Sequence, residues 1–300
     1  MRICLKVDIE NTVGYREGLP ALLKLFDQYN IKASFFFSLG FDNSGLRLRQ
    51  LFNPWVLSKQ LPVSHFFYGT LLPPTRLSKK FKSTIKSCVD AGHDVGIKSY
   101  DAVTWQSQAI NADKKWTENM LAWSMEEFND IVGFTPRFHS ASGCIINRYL
   151  LELEDQFGFE LALDTRGKTA FKPEYLGYKG KTAQLPVTLP AIEELLITPE
   201  VTLDNVHEYL FADSQKQLTH GHVYEVRGAH EGREWLPILE KLIVMWRSFQ
   251  WEYQTVSTVS RSLIKEQPLT HKLGWANYAP GRLYKATQGE MITNDMSNTH

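Results

Sequence analysis

The stretch Gly92-His93-Asp94-Val95-Gly96-Ile97-Lys98-Ser99-Tyr100-Asp101-Ala102 decides the fold. A Gly-His turn opens it, and residues 94–97 have the pattern of a short buried strand. A helical pattern over residues 78–91 leads into the turn. Short β-rich runs and helical runs alternate in this way along most of the chain, which predicts an α/β fold.

About seven β/α units can be counted, one fewer than in the standard eight-stranded barrel. The predicted strands cover residues 3–9, 33–39, 94–97, 136–140, 161–164, 222–227 and 252–256. The predicted helices cover residues 18–29, 78–91, 113–132, 147–157, 203–212 and 235–249. The pattern fades after Ile264, and residues 288–300 are predicted to form a mobile tail. We therefore predict one barrel over residues 1–265 with an insertion at 43–72, then a C-terminal extension over 266–300.

The composition sets modest limits on function. The 300 residues include 33 basic and 33 acidic side chains, so no general attraction to nucleic acid is expected. Charges within the first 13 residues leave no apolar signal segment, and no window is apolar enough to span a membrane, so we expect a cytoplasmic chain. The three cysteines are odd in number and far apart, which fits reduced, buried thiols.

Two carboxylates mark the end of the first predicted strand. Asp8 and Glu10 are two residues apart, so they lie on the same side of the strand. Because the carboxyl ends of parallel strands build the active site in a barrel, this pair suits a general base beside a metal ligand. Helix capping or a surface ion pair is the alternative for the same residues.

Several motifs, in order, resemble the polysaccharide deacetylase family, also called family 4 carbohydrate esterases. The similarity extends over most of residues 1–265 and is greatest to deformylases acting on 4-deoxy-4-formamido-L-arabinose-phosphoundecaprenol. The resemblance implies a distorted seven-stranded (β/α) barrel. The motifs are Lys-Val-Asp-Ile-Glu at 6–10, Gly-His-Asp-Val-Gly-Ile at 92–97, Asp-Thr-Arg-Gly at 164–167 and Gly-Lys-Thr-Ala-Gln-Leu-Pro-Val-Thr-Leu-Pro at 180–190.

The resemblance implies a divalent metal, held by one acidic side chain and two histidines, that activates water against a formamide or acetamide carbonyl. Asp8 matches the catalytic base and Glu10 the acidic ligand. The two histidine positions fall on Lys98 and Ala102, and neither side chain offers a lone pair at neutral pH. We therefore expect no metal cofactor.

Two further family positions have also changed. Arg227 stands where the family has a general-acid histidine, and arginine does not exchange protons near neutral pH. Ile145 stands where an arginine orients the catalytic aspartate. The sequence thus predicts a degenerate homologue that binds a lipid-linked amino sugar or a partner enzyme without metal-dependent hydrolysis, so whether it is an enzyme stays open.

The replacements predict an ionic cluster in the old pocket. Removing a dication would leave Asp8 and Glu10 uncompensated, and Lys98 and Arg227 bring positive charge to the same strand ends. The cluster either binds a ligand or only holds the barrel mouth together. The remaining pocket candidates are Asp101, and Arg166 as a partner for a phosphate or sugar hydroxyl.

A relocated metal site is the alternative for function. His139 sits at the end of the fourth predicted strand and His230 just after the sixth, so they could join Asp8 and Glu10 around a divalent metal such as Zn. That arrangement would make the chain an active carbohydrate amide hydrolase.

Cations alternate with large apolar side chains over residues 46–68. Arg47, Arg49 and Lys59 stand among Trp55, Phe66 and Phe67. Such a segment either contacts the inner face of the membrane as a peripheral anchor or packs on the flank of the barrel. The oligomeric state does not follow from the sequence.

Overall fold

The computed structural model describes residues 1–46, 69–70, 73–278 and 284–292. Within them the strands are β1 (Arg2–Ile9), β2 (Ser34–Phe37), β3 (Phe41–Asp42), β4 (Thr75–Arg76), β5 (Asp94–Lys98), β6 (Phe138–Ser140), β7 (Leu161–Ala162), β8 (Lys172–Tyr175), β9 (Tyr178–Lys179), β10 (Ala183–Gln184), β11 (His222–Arg227), β12 (Glu252–Gln254), β13 (Thr270–Ala276) and β14 (Lys285–Met291).

The α-helices of the described residues are α1 (Leu19–Gln28), α2 (Leu77–Lys80), α3 (Lys82–Asp90), α4 (Ala102–Gln108), α5 (Lys114–Val132), α6 (Leu150–Phe157), α7 (Ile192–Leu195), α8 (Val206–Ser214), α9 (Leu236–Ser248) and α10 (Val256–Glu266). A π-helix at Gly14–Gly18 precedes α1, and short 3-10 turns lie at Ala109–Asn111 and Ser142–Cys144.

The main sheet has eight strands, all paired in parallel. Seven lie side by side in the order β10, β7, β6, β5, β2, β1 and β11, and β12 pairs with the start of β1. Parallel neighbours need crossover connections, and helices supply most of them. The predicted (β/α) barrel class is confirmed.

Side chains alternate between the two faces of the main sheet, and each face packs into a separate hydrophobic core. Leu5 and Val7 of β1 point outward and belong to the larger core, together with Phe26 of α1. Cys4 of β1 and Phe36 of β2 point inward and belong to a smaller core. The inner core fills the lower part of the barrel, so the charged inward residues of β1 lie nearer its mouth.

Two glycines explain the geometry of the Gly-His stretch. Gly92 has φ +72°, the left-handed conformation that glycine adopts without steric cost. A Cβ at Gly96 would lie 2.7 Å from the carbonyl oxygen of Phe138, too close for any other residue. Close packing of β5 on β6 therefore depends on this glycine.

The C-terminal extension contains structure that the sequence pattern did not reveal. α10 continues to Glu266, and β13 and β14 then form an antiparallel pair. β13 also pairs in parallel with β8, which makes a second sheet in the order β14, β13, β8 and β9. Residues 293–300 of the predicted tail lie outside the described residues, and the boundary at 265 remains a proposal.

The insertion predicted at 43–72 begins and ends beside a short antiparallel pair. Phe41 of β3 lies opposite Arg76 of β4, and Asp42 lies opposite Thr75. The chain therefore leaves the barrel and returns to it at neighbouring points. Most of the insertion, including nearly all of residues 46–68, lies outside the described residues.

Candidate functional site

One carboxylate oxygen near the mouth of the barrel accepts hydrogen bonds from two ammonium groups. Lys98 Nζ lies 2.6 Å from Asp8 Oδ2, and Lys6 Nζ lies 2.6 Å from the same oxygen. The two lysine side chains and Asp8 are buried, each with at most 2% of the side chain exposed. Lys6 and Asp8 lie two residues apart on β1, and Lys98 ends β5, so strand geometry directs all three inward.

Two more carboxylates complete what we call the ion cluster: Lys6, Asp8, Glu10, Lys98 and Glu225. Lys98 Nζ is 3.3 Å from Glu10 Oε1, and Lys6 Nζ donates a hydrogen bond to Glu225 Oε2 at 2.9 Å. Glu225 is the direct neighbour of Lys6 in the register of β1 and β11. The cluster brings two positive groups and three carboxyl groups together.

Charge compensation dominates the pKa values in the ion cluster. Burial alone lowers the pKa of Lys98, but Asp8 and Glu10 outweigh burial and raise it above its usual range. The pKa of Lys6 is raised in the same way by Asp8 and Glu225. Burial raises the pKa of Glu225, but the two ammonium groups prevail and hold it well below its ordinary value.

Asp8 itself experiences opposing effects. Burial prevails and raises its pKa above the ordinary value, although Lys6 and Lys98 lower it. Because both ammonium groups contact Oδ2 at 2.6 Å, they stabilise the ionised carboxylate against this effect of burial. Both lysines therefore stay charged near neutral pH, and neither can act as a base or a metal ligand.

The family's metal does not fit the residues present. The Lys98 ammonium contacts the two carboxylates that would face the metal, and Ala102 offers no donor atom. Asp101 caps α4: its Oδ1 accepts hydrogen bonds from the backbone N–H groups of Val103 and Thr104, each at 3.0 Å. This capping role accounts for Asp101 without a ligand.

Arg227 does not join the ion cluster, contrary to the prediction. Its guanidinium pairs with Glu193 of α7 and with Glu231, whose Oε1 lies 2.8 Å from Nη2. The guanidinium also lies over the ring of Trp235, 5.6 Å from its centroid. The two glutamates follow the strands rather than lying within them, so strand spacing could not reveal them.

The structure does not assemble the relocated metal site either. His139 pairs in register with Ile97, whose side chain lies in the outer core, whereas Lys98 points inward. His139 is therefore on the opposite face of the sheet from Asp8. His230 lies beyond β11 and stacks on Trp235 at 5.2 Å between ring centroids.

His139 instead belongs to a buried polar group that the sequence analysis missed. Its Nδ1 lies 2.7 Å from Glu154 Oε1 and 3.3 Å from Asp164 Oδ1, and all three side chains are fully buried. Gln184 Nε2 donates to Asp164 Oδ2 at 2.9 Å. Histidine and two carboxylates are also ligands that could hold a metal ion.

Charge interactions among His139, Glu154 and Asp164 explain the pKa shifts in this group. Burial disfavours the charged imidazole, but Asp164 and Glu154 prevail and raise the pKa of His139 to about 9. Burial raises the pKa of Asp164, but the His139 imidazolium prevails and lowers it. The pKa of Glu154 is raised well above its ordinary value by burial and by Asp164. These directions fit an imidazolium paired with an ionised Asp164 and a protonated Glu154.

Lys6 and Glu225 are the members of the ion cluster that sequence reasoning missed. Each stands two residues before a position that was singled out, Asp8 and Arg227 respectively, so strand alternation places it on the same face. That spacing was a usable signal. Lys6 was quoted only as the first residue of the motif at 6–10, and Glu225 lies outside the quoted motifs, so neither was assigned a role.

The family model for polysaccharide deacetylases matches residues 12–162, half of the chain. The chain belongs to the polysaccharide deacetylase family. The curated relatives include the probable 4-deoxy-4-formamido-L-arabinose-phosphoundecaprenol deformylase of Shewanella sediminis, 28% identical over 263 residues. That alignment covers 84% of this chain and 83% of the relative.

Solved structures share the fold at low sequence identity. A probable polysaccharide deacetylase from Pseudomonas aeruginosa superposes with a TM-score of 0.63 at 12% identity, over 89% of this chain and 92% of that one. A family 4 carbohydrate esterase pseudoenzyme from Bacillus anthracis superposes with a TM-score of 0.52 at 11% identity. That comparison covers 86% of this chain and 65% of the pseudoenzyme.

No helix within the described ranges combines the length and the apolar character needed to cross a bilayer. The three cysteines, Cys4, Cys88 and Cys144, are buried free thiols.

Proposed function

We propose that this chain is a degenerate member of its family that binds a polyprenyl-phosphate amino sugar without hydrolysing its amide. The observation that carries the proposal is the Lys98 ammonium, 2.6 Å from Asp8 and 3.3 Å from Glu10. It brings a fixed positive charge to the carboxylates that the family uses beside a metal. A partner enzyme of the same pathway is the ligand to test if no sugar binds.

Hydrolysis of an amide needs an activated water and a proton for the departing amine. The Lys98 ammonium stands where the metal that activates the water would lie, and two ammonium groups contact Asp8 Oδ2, which leaves only Oδ1 of this carboxylate without a partner among the described residues. Arg227, at the family's general-acid position, is ion-paired on two sides and cannot release a proton near neutral pH. The groups required for both steps are therefore blocked or replaced.

Binding capacity is supported by buried polar atoms at the strand ends. Ser38 follows β2, Ser142 follows β6 and Thr165 follows β7, and the hydroxyl of each has no hydrogen-bond partner among the described residues. Asp8 Oδ1 is also buried without a hydrogen-bond partner among these residues. Buried polar atoms normally have partners, so this set is suited to a ligand rich in hydroxyl groups or to bound water.

We expect protein purified without chelator to contain well below one Zn, Ni, Co or Mn ion per chain. We also expect no turnover of undecaprenyl-phosphate 4-formamido-arabinose above a no-enzyme control. The reason is the Lys98 ammonium beside Glu10, which repels a dication. Elemental analysis and mass spectrometry of the lipid measure the two quantities.

Matched variants decide how a positive result is interpreted. About one metal per chain, lost in a His139→Ala variant, would assign a metal to the buried histidine group. Turnover that disappears in an Asp8→Asn variant would overturn the non-catalytic proposal. Turnover that persists in that variant points to a contaminating hydrolase and leaves the proposal standing.

We also propose a peripheral membrane contact through residues 46–68, since the ligand is lipid-linked. Replacing Arg47, Arg49 and Lys59 with glutamine should reduce co-flotation with vesicles of phosphatidylcholine and phosphatidylglycerol. Each basic residue near an anionic surface contributes on the order of 1 kcal/mol, so the triple variant should lose most of its binding.

The control replaces three exposed lysines elsewhere, Lys115, Lys216 and Lys265, with glutamine. This variant has the same net charge as the test variant and should float like the parent. Equal loss in both variants, or a parent that does not float at all, would return residues 46–68 to a packing role on the barrel.

A further inference from the structure

The C-terminal hairpin of β13 and β14 brings a lysine to the barrel mouth. The backbone N–H of Arg166, just beyond β7, donates to the carbonyl of Ala286 at 2.9 Å. Gln288 N–H donates to the carbonyl of Arg166 at 2.8 Å. These bonds fix β14 beside the Asp-Thr-Arg-Gly segment, and Lys285 at the start of β14 lies next to Arg166 as a result.

Two cations share one carboxylate at this position. Lys285 Nζ lies 2.7 Å from Glu194 Oε1, and Arg166 Nη2 lies 3.1 Å from Glu194 Oε2. The side chains of Arg166 and Glu194 are each 7% exposed, and that of Lys285 is 21% exposed. The trio carries one surplus positive charge in a largely buried place, with Lys285 at its open side.

The Arg166 guanidinium retains hydrogen-bonding capacity. It has five N–H donors, and Glu194 is its only ion-pair partner within the described ranges. One face is covered by the ring of Tyr278, whose centroid is 4.6 Å away, so the free edge lies in a fixed plane. A planar donor edge beside an ammonium is the arrangement that recognises phosphate oxygens.

The trio adjoins the ion cluster. Glu193, next to Glu194 on α7, holds Arg227 at the end of β11. Lys285 helps to lower the pKa of Glu225, a member of the ion cluster. Lys285 and Arg166, together with Lys6, also act on the Cys144 thiol, although burial prevails there and raises its pKa to about 11. Both groups of charges thus face the same mouth.

We infer that Arg166 and Lys285 form a phosphate-binding subsite at the rim of the barrel mouth. This inference rests on the proposed function, and it specifies which part of the ligand is held there. The surplus positive charge attracts the phosphate, and the guanidinium edge orients its oxygens. The partly exposed Lys285 makes the subsite accessible from solvent. The phosphate belongs either to a polyprenyl lipid or to a free phosphate ester.

The test measures binding of farnesyl phosphate to the full chain by isothermal titration calorimetry, with farnesol as the uncharged control. Lys285→Gln and Arg166→Gln should each weaken binding by about tenfold or more, as expected for lost charged hydrogen bonds. Glu194→Gln should strengthen binding because the carboxylate that competes with phosphate is removed. Lys168→Gln removes an exposed charge beside Arg166 and should leave the affinity unchanged.

Further measurements distinguish loss of the fold from loss of binding and identify the source of the phosphate. Thermal melting identifies variants that have lost their fold, and Lys285→Arg should keep both fold and affinity. Competition by inorganic phosphate at equal concentration would assign the subsite to free phosphate, whereas binding of farnesyl phosphate alone would assign it to the lipid. Absence of binding, or equal loss in Lys285→Gln and Lys168→Gln, would overturn the subsite. Amide turnover would overturn only the proposed function.

Discussion

Replacement of Lys98 with methionine is expected to lower the free energy of unfolding by about 3–5 kcal/mol, the cost of removing one partner from a buried ion pair. The lysine is fully buried and contacts both Asp8 and Glu10. Without its charge, Lys6 alone must compensate three carboxylates, and the side chain of Asp8 is only 2% exposed. Urea unfolding monitored by circular dichroism measures the loss.

A double-mutant cycle shows whether the loss arises from the ion cluster. Adding Asp8→Asn to Lys98→Met removes one uncompensated negative charge and should recover about 1–2 kcal/mol of the loss. Lys115→Met is the matched control, because its ion pair with Glu118 is exposed and is worth about 0–1 kcal/mol. Strict additivity of the two changes would show that Lys98 and Asp8 do not interact energetically.

The second large effect concerns pH and the buried histidine. The pKa of His139 is raised from 6.5 to about 9, so its stabilising contribution is fully present below pH 6.5 and is lost as the pH rises through about 9. At 1.36 kcal/mol for each pKa unit, the free energy of unfolding should fall by about 3 kcal/mol across this window. Glu154, whose pKa is also raised, changes stability in the same direction.

Unfolding by urea at about pH 6 and about pH 10 measures this difference. In a His139→Gln variant the part of the pH dependence that comes from the imidazole should be lost while that of Glu154 remains, and the variant should be less stable at the lower pH. In Glu154→Gln the imidazole keeps Asp164 as its charged partner, so part of the pH dependence should remain. A parent protein equally stable at both pH values would contradict the proposed charge state of this group.

The barrel could be predicted from the sequence because two regularities, strand alternation and the order of the motifs, act over many residues. The same alternation placed Asp8, Glu10 and Lys98 at one mouth, where the structure has them in contact. It failed for His139, because β6 has only three residues and two neighbouring positions of a short strand face opposite sides. The partner Glu154 comes from α6, which alternation in a strand cannot reveal.

The partners of Arg227 and the C-terminal hairpin were missed for a different reason. Glu193 and Glu231 reach Arg227 from a loop-helix junction and from the turn after β11, so tertiary folding alone brings them together. β13 and β14 have few large apolar residues, and backbone pairing with each other and with β8 holds them. Hydrophobic periodicity, the main signal in a sequence, is weak for such strands.

The pairing of β3 with β4 makes the segment between them a replaceable module. The pairs Phe41–Arg76 and Asp42–Thr75 hold the two ends of this segment side by side. The structure of the barrel therefore does not depend on how long the segment is. Lengthening such a connection costs little, about 0.6 kcal/mol for each doubling. The length of this segment can therefore change at little cost to the barrel, while the charges inside the barrel stay in place.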